Sequence, residues 1–444
     1  MIAAIPGLKR RLLLETGGGQ FWRPWAASSS LMGHDHRTRQ VAGLRDWTIG
    51  GGVPLAASLV ERVPTGAAAP WWERDDVFHW SDLFTGGSYR WRHAGPVAGA
   101  ELHPALGWHQ ARRSVAALAG WPVMSTRQLA AFTGHPPSNA ARHLRPLFLA
   151  GVVDRGRLPM GLLFGHKGHL HRLADGPELR RFLAGLSPAD RARTTMGVPI
   201  RRGHATVRHH LLVAELALRV AELVPGVVAV FPGSVSSPAR LLGHLGHTAT
   251  WHADLTVVRA DGLRIAVELI RWRSRRSLEA KMHRWAELLA GHHRHETGLV
   301  VVFLNAACTS EGTVGELRRH HRKWAAAQRD AYRRVLSREG LLVDGYRALP
   351  GELSAARSQI HLASWMDWFP AAGRVSSAFV ELSTVSAAEG RQWRREALAD
   401  PKGFWGFDPT GPILDRVDAP RRARVDVWAC PRFLTVADPP PGPR

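Results

Sequence analysis

The stretch Trp251-His-Ala-Asp-Leu-Thr-Val-Val-Arg259, Ala260-Asp261-Gly262, Leu263-Arg-Ile-Ala-Val-Glu-Leu-Ile270 carries the strongest structural signal in the chain. Its outer segments alternate with period two on either side of a glycine-bearing turn, the pattern of a β-hairpin. If the turn is a three-residue loop with Gly262 in the left-handed region, Arg259 faces Leu263 and Asp254 faces Glu268. Opposed residues share a face with Cβ atoms roughly 5 Å apart, close enough for two carboxylates to hold one Mg²⁺. The same register gathers Leu255, Val257, Ile265, Val267 and Leu269 on the other face, which is then wholly apolar. A two-residue Asp261-Gly262 turn would shift the pairing by one and put the carboxylates on opposite faces. The apolar partition favours the first register.

Downstream of the hairpin, residues 259 to 284 hold eight Lys or Arg residues against three acidic ones. Arg271, Arg273, Arg275 and Arg276 lead into an expected helix, Ser277 to Ala290, that carries Lys281. Such an excess beside carboxylates suits a basic channel that receives the phosphates of a scissile strand. The whole chain leans the same way, with 59 Lys and Arg against 37 Asp and Glu and a formal net charge of +22. That balance favours a polyanionic partner, because each neutralised phosphate releases a condensed counterion. Only Cys308 and Cys430 are present, which excludes a disulfide framework and a cysteine-based zinc site and points to the cytoplasm. The start, Met1 to Leu14, lacks the apolar run of a signal peptide, and no stretch approaches the roughly 20 apolar residues of a membrane span.

A length of 444 residues implies two or three domains. Residues 1–106 read as a Trp- and Gly-rich N-terminal extension. From 107 to 176 the spacing predicts three short helices and a strand pair: Trp108 to Ala119, a helix capped by Ser125 with Gln128 completing a capping box, and a third from Ser138 through Arg145. The strand pair, ending at Leu170 to Leu173, has a basic tip containing Lys167. Three helices followed by a two-stranded wing is the winged variant of helix-turn-helix. Ser138, Asn139, Arg142, His143 and Arg145 then lie on the recognition helix, and Pro146 should kink or end it. Residues 177–204 read as a linker that includes a connecting helix. Residues 205–340 follow the order α-β-β-β-α-β-α, opening with an amphipathic helix from His209 to Leu223, and 341–444 read as a C-terminal extension with a disordered tail. The fold class expected is α+β multidomain, a winged helix-turn-helix followed by an α/β domain with a mixed central sheet.

An Asp opening the second strand and a Glu inside the third make 205–340 resemble the restriction-endonuclease-like fold, whose motif is written PD-(D/E)XK. Ala253-Asp254 stands for the first pair and Glu268-Leu269-Ile270 for the second element, with Ile270 where the motif has lysine. The resemblance implies Asp254 and Glu268 as Mg²⁺ ligands. Lys281, one turn into the next helix, would act as the displaced lysine that orients or deprotonates water, and Glu215 would add a third oxygen ligand. The stretch from about Ser125 to Ala307 also resembles the replication-relaxation family. It shows the pattern of Leu144 to Val153, a helix entered through His209 and His210, Ala253-Asp254, Val267-Glu268, the Arg- and Ser-rich run Arg271 to Ser277, and Lys281 followed by Trp285 where Tyr is usual. That resemblance implies a DNA-binding protein of plasmid or mobile-element replication or transfer, with duplex DNA and replication or transfer proteins as partners and Mg²⁺-dependent nicking as the activity.

Alternatives stand beside this reading. Asp254 and Glu268 would serve equally as the exposed face of a two-sided hairpin, paired with Arg264 or Arg273. A non-catalytic DNA-binding regulator with a vestigial nuclease domain would keep the same residues, and Ile270 favours it. His169-Leu170-His171 matches the His-hydrophobic-His pattern of tyrosine relaxases with Tyr332 as nucleophile, but those histidines fall in the expected wing.

Overall fold

The run Leu299–Asn305 is apolar on both faces, as a strand buried on both sides requires, and the alternating run Arg264–Ile270 precedes it. In the computed structural model they pair in parallel at the centre of a seven-stranded mixed sheet, and every residue of both is buried. The structure describes residues 90–92, 108–133, 137–157, 169–200, 207–242, 251–259, 262–271, 274–306, 314–370, 375–387 and 392–400. Apart from Arg90–Arg92, the expected N-terminal extension lies outside these residues, as do Lys167, Arg273, the side chain of Asn139 and the expected C-terminal tail.

The protein is α+β. Strands are β1 (Arg90–Arg92), β2 (Met124–Ser125), β3 (Val153–Arg157), β4 (His169–Leu173), β5 (Val227–Pro232), β6 (Leu255–Arg259), β7 (Arg264–Ile270), β8 (Leu299–Asn305), β9 (Leu342–Val343), β10 (Tyr346–Arg347), β11 (Ile360–Ser364), β12 (Ser383–Ala387) and β13 (Trp393–Ala397). The longer helices are α1 (Trp108–Gly120), α2 (Thr126–Thr133), α3 (Pro137–Leu149), α4 (Pro177–Ala184), α5 (Pro188–Thr195), α6 (Val207–Leu223), α7 (Arg275–Ala290), α8 (Val314–Val335) and α9 (Pro350–Gln359). The large sheet runs β13-β12-β11-β8-β7-β6-β5, parallel only at β7·β8 and β8·β11.

The β6–β7 register runs from Leu255 opposite Val267 to Val258 opposite Arg264. Carried one step further, it sets Asp254 opposite Glu268. At the other end the Arg259 N–H donates to the Leu263 carbonyl at 2.9 Å and the Gly262 N–H to the Arg259 carbonyl at 3.0 Å. Gly262 closes this turn at φ +90, a conformation that costs glycine little. Leu255, Val257, Ile265, Val267 and Leu269 pack with α6 in one apolar cluster, while Val258, Ala266 and Ile270 pack with α7, α8 and α9 in another. Both faces of the hairpin are therefore covered, which overturns the exposed two-sided hairpin. Arg264 is itself buried and donates to the carbonyls of Leu241, Thr297 and Gly298, not to Asp254 or Glu268.

Upstream, α1, β2, α2, α3, β3 and β4 follow one another, and β1 joins their sheet in the order β1-β3-β4-β2. The capping box forms: Ser125 Oγ accepts from the Gln128 N–H at 3.1 Å, and Gln128 Oε1 accepts from the Ser125 N–H at 3.1 Å. Helix α3 does not stop at Pro146 but runs on to Leu149. The proline removes the hydrogen bond to the Arg142 carbonyl, yet Arg142 and Pro146 are both exposed, so water can serve that carbonyl.

Three expectations are corrected by packing. Residues 177–204 are more than a connecting helix and linker: α4 contributes Leu179 and Phe182 to the apolar cluster, Leu186 follows from the turn between the helices, and Asp190 of α5 pairs with Arg112 of α1. The sheet does not end at 340, because β11 pairs with β8 and brings β12 and β13 with it. Helix α6 is not amphipathic, since every residue from Leu211 to Ala221 is buried. It lies between β5 and β6 on one side and α2 on the other, so both of its faces are interior. Each fully buried Leu there contributes about 1.5–3 kcal/mol.

His361 on β11 has no exposed surface and bridges Thr384 Oγ1 (2.9 Å) and the Ser358 carbonyl (3.1 Å). Burial pushes its pKa down to about 4, against the opposing pull of Glu396. A lowered folded pKa contributes stability that is fully present above the unfolded value of about 6.5 and lost as pH falls toward the folded one. At about pH 5 this loss is about 2 kcal/mol. Thermal unfolding followed from about pH 7 to about pH 5 should show Tm falling, and His361→Gln should flatten that fall; parallel slopes for the two proteins would remove His361 as its source.

Candidate active site

Four elements meet at one end of the β6–β7 ladder. Asp254 immediately precedes β6, Glu268 stands in β7, Lys281 and Trp285 project from α7 one helical turn apart, and His209 comes from the first turn of α6. Helix α7 begins where Ser274 Oγ accepts from the Ser277 N–H at 3.2 Å, an N-cap that sets the phase placing Lys281 and Trp285 inward. Residues four apart lie on one face, so both side chains reach the same carboxylate. Gly233 lets the backbone approach from β5: a Cβ there would stand 2.8 Å from the Ala253 carbonyl oxygen and 3.1 Å from that of Asp254.

Each carboxylate oxygen faces a donor. The Trp285 indole N–H donates to Glu268 Oε1 at 2.8 Å, and the Lys281 ammonium pairs with Oε2. His209 Nε2 lies 2.9 Å from Asp254 Oδ1, and the Leu269 N–H donates to Oδ2 at 2.7 Å. The Glu268 side chain is 0% exposed, whereas that of Asp254 keeps 18%, so the cluster opens toward solvent at its Asp254–His209 end.

The two acids titrate in opposite directions. Burial alone pushes Asp254 up, but the charges of His209 and Lys281 and the hydrogen bonds from His209 and Leu269 outweigh it and hold the group well below the usual carboxylate range. Burial pushes Glu268 up; Lys281 opposes this and Asp254 reinforces it, so the group stays above its ordinary value. His210, beside them, is pushed down to about 4 by burial and by His209.

The structure therefore brings together Asp254, Glu268 and Lys281, and it keeps Glu215 away. Glu215 is buried on α6, six residues and about 240° of helical turn beyond His209. Its carboxylate is taken by Arg219 (2.5 Å) and by the Gln128 side-chain amide (3.2 Å). It is no third metal ligand, and among the described residues no group of three or more His, Cys, Asp or Glu side chains is arranged to hold a metal ion. Ile270, in the place of the motif lysine, is buried in the apolar cluster beneath α7.

Of the expected DNA-contacting residues, Ser138, Arg142 and Arg145 are exposed on one face of α3, opposite buried Ala140, Leu144 and Leu147. His143 is half-buried, and burial together with Arg142 lowers its pKa. Arg275 and Arg276 are exposed at the start of α7, where Arg275 pairs with Glu279 at 3.1 Å, and Arg271 is half-buried. Tyr332 is buried and donates its hydroxyl to the Arg357 carbonyl at 3.2 Å, an interior role rather than that of a nucleophile.

His209 and Trp285 were legible only as members of a family pattern, without a role, because His209 lies 45 residues from the carboxylate it meets. Gly233 left no signal at all in the sequence. Comparison of the chain with protein-family models, with curated proteins and with solved structures found no match.

Glu268 and Lys281 form a pair whose halves depend on each other. Removing one partner of a buried ion pair typically costs about 3–5 kcal/mol, because the other charge is left unpaired in the interior. Urea unfolding of Lys281→Met should show a loss of that size, and Lys281→Met/Glu268→Gln should recover most of it. A double variant as unstable as the sum of the singles would mean that the two side chains do not interact.

Proposed function

We propose that this chain is a DNA-binding protein of the replication-relaxation type that nicks a DNA strand with Mg²⁺ in plasmid or mobile-element replication or transfer. The observation that carries the proposal is the convergence of Asp254, Glu268 and Lys281 from three separate elements onto one end of the sheet. Buried charges of this kind add little net stability, since apolar side chains of similar volume pack as well or better, and they concentrate at functional sites. The order α6-β5-β6-β7-α7-β8-α8 around a mixed sheet supports a restriction-endonuclease-like domain. The order α1-β2-α2-α3-β3-β4, with β4 between β2 and β3, supports a winged helix whose α3 presents Ser138, Arg142 and Arg145 to duplex DNA. The proposal carries with it a cytoplasmic site of action; among the described residues no helix is long and apolar enough to cross a membrane.

The residues present fit a divalent cation. Two opposed carboxylates already draw a positive charge, the Lys281 ammonium, onto themselves. Mg²⁺ commonly takes one or two protein carboxylates and completes its shell with water and phosphate oxygens, so Asp254 and Glu268 would suffice to hold it. Bound there, it would polarise the scissile phosphate and acidify a coordinated water. Lys281 would supply the ammonium that Ile270 cannot, and His209 and the Leu269 N–H hold the Asp254 carboxylate in place.

A second reading, a non-catalytic DNA-binding regulator, is favoured by one specific observation: three of the four carboxylate oxygens are hydrogen-bonded within the protein, and the fourth, Glu268 Oε2, is ion-paired with Lys281. Supercoiled plasmid incubated with Mg²⁺ separates the two. Wild type should convert it to open circles, and Asp254→Asn or Glu268→Gln should slow this by at least about a hundredfold, the scale of a catalytic interaction of about 2.7 kcal/mol. No nicking by any of the three, with salt-dependent DNA binding retained, would leave the regulator. Arg142→Gln/Arg145→Gln should weaken duplex binding and lower its salt slope by about 2 in either case.

A further inference from the structure

Helix α8 runs along the same face of the sheet as α7, and its buried side is anchored by Gln328, which donates to the Phe303 carbonyl at 2.8 Å, and by Ala331 and Tyr332. Its other side is exposed and basic. Arg319, Arg322, Lys323, Arg329, Arg333 and Arg334 are all exposed, and at 100° per residue they fall within a stripe about 140° wide. Among the described side chains of this stripe Asp330 is the one exposed acid, and it is paired with Arg333 at 3.5 Å.

The stripe is neither scattered nor isolated. From Arg319 to Arg334 it extends about 22 Å along the helix. One strand of duplex DNA presents about six phosphates over that axial length. At its C-terminal end it joins the basic start of α7, because Glu279 accepts both from Arg275 (3.1 Å) and from Arg334 (2.5 Å). Glu279 precedes Lys281 by two residues, about 200° round the helix, so the stripe meets α7 on its outer side, away from the buried ammonium. The guanidiniums of Arg329 and Arg333 are held over the Trp393 ring at 5.8 and 5.3 Å, which fixes their direction and lowers the entropy lost on gripping a ligand. With Trp393 covered by guanidiniums, the surface offers charge rather than an open stacking platform, and the chemistry it matches is a sugar-phosphate backbone.

We infer that the exposed face of α8 is a second DNA-binding surface, separate from α3, that holds a sugar-phosphate backbone along the length of the helix. This inference rests on the DNA-binding part of the proposed function and not on nicking. Binding of the full-length chain to a mixed-sequence duplex, measured from roughly 50 to 200 mM salt, tests it. The variant Arg319→Gln/Arg322→Gln/Lys323→Gln should lower the slope of log K against log[salt] by about 2 to 3, at about 0.9 for each phosphate no longer neutralised. Combined with Arg142→Gln/Arg145→Gln, the two decreases should add. In the wild-type chain, DNA should protect Lys323 from acetylation by a small amine-reactive reagent, a readout independent of any variant's folding. An unchanged slope with Lys323 equally reactive in the presence of DNA would overturn the inference and leave binding through α3 standing. Absence of salt-dependent DNA binding by wild type would overturn both.

Discussion

A one-residue slip in the β6–β7 pairing would empty the candidate site and turn the core outward at the same time. Side chains alternate with period two, so the register that opposes Leu255 to Val267 also decides that five aliphatic residues meet α6 and that Glu268 meets α7. Covering both faces makes the constraint stronger than in a half-solvated sheet, because no face is left where a misplaced charge could reach water. Asp254 adds a local lock. Its carboxylate accepts the Leu269 N–H just beyond the end of β6, taking a place that a further residue of the strand would have filled.

The buried carboxylate of Glu268 depends on that register and on the phase of α7. A charge with no exposed surface costs several kcal/mol to desolvate, and the Lys281 ammonium and Trp285 indole offset this only because one N-cap places both on the same side of the helix. A second buried carboxylate, Glu215, meets the same physical demand differently, through Arg219 on its own helix and Gln128 of α2. Gln128 uses its carbonyl oxygen for the capping box and its amide for Glu215 and the Leu211 carbonyl (3.0 Å), so one side chain starts a helix and ties the upstream region to α6. The shared apolar cluster, with Trp121 and Phe132 alongside Leu211 and Leu216, makes these two regions one packed body.

Local chemistry was the legible part. The hairpin register, the glycine turn, the Ser125–Gln128 box and the order of helices and strands all rest on interactions within a few residues, and the structure has them where the pattern put them. The three misplaced features share a cause. Residues 177–204 read as a connecting helix and linker, 341–444 as an extension and α6 as an ordinary amphipathic helix because each borrows its partner from a distant segment: α1, β8, and the sheet and α2 together. Composition along a segment records how apolar it is and at what period, not which neighbour covers it. Pro146 is the reverse case, a local rule overridden because the carbonyl it orphans faces solvent.

By itself the sequence determined that Asp254 and Glu268 share a face, that a basic helix carrying Lys281 follows them, and that the chain carries a large positive excess. Only the tertiary structure decided which partners those carboxylates take. It gave Asp254 to His209, gave Glu268 to Lys281 and Trp285, and withdrew Glu215 toward Gln128 and Arg219. The physical reason is that periodicity assigns a side chain to a face, whereas an ionised group in the interior is placed by whichever counter-charge the packing of other elements brings within reach.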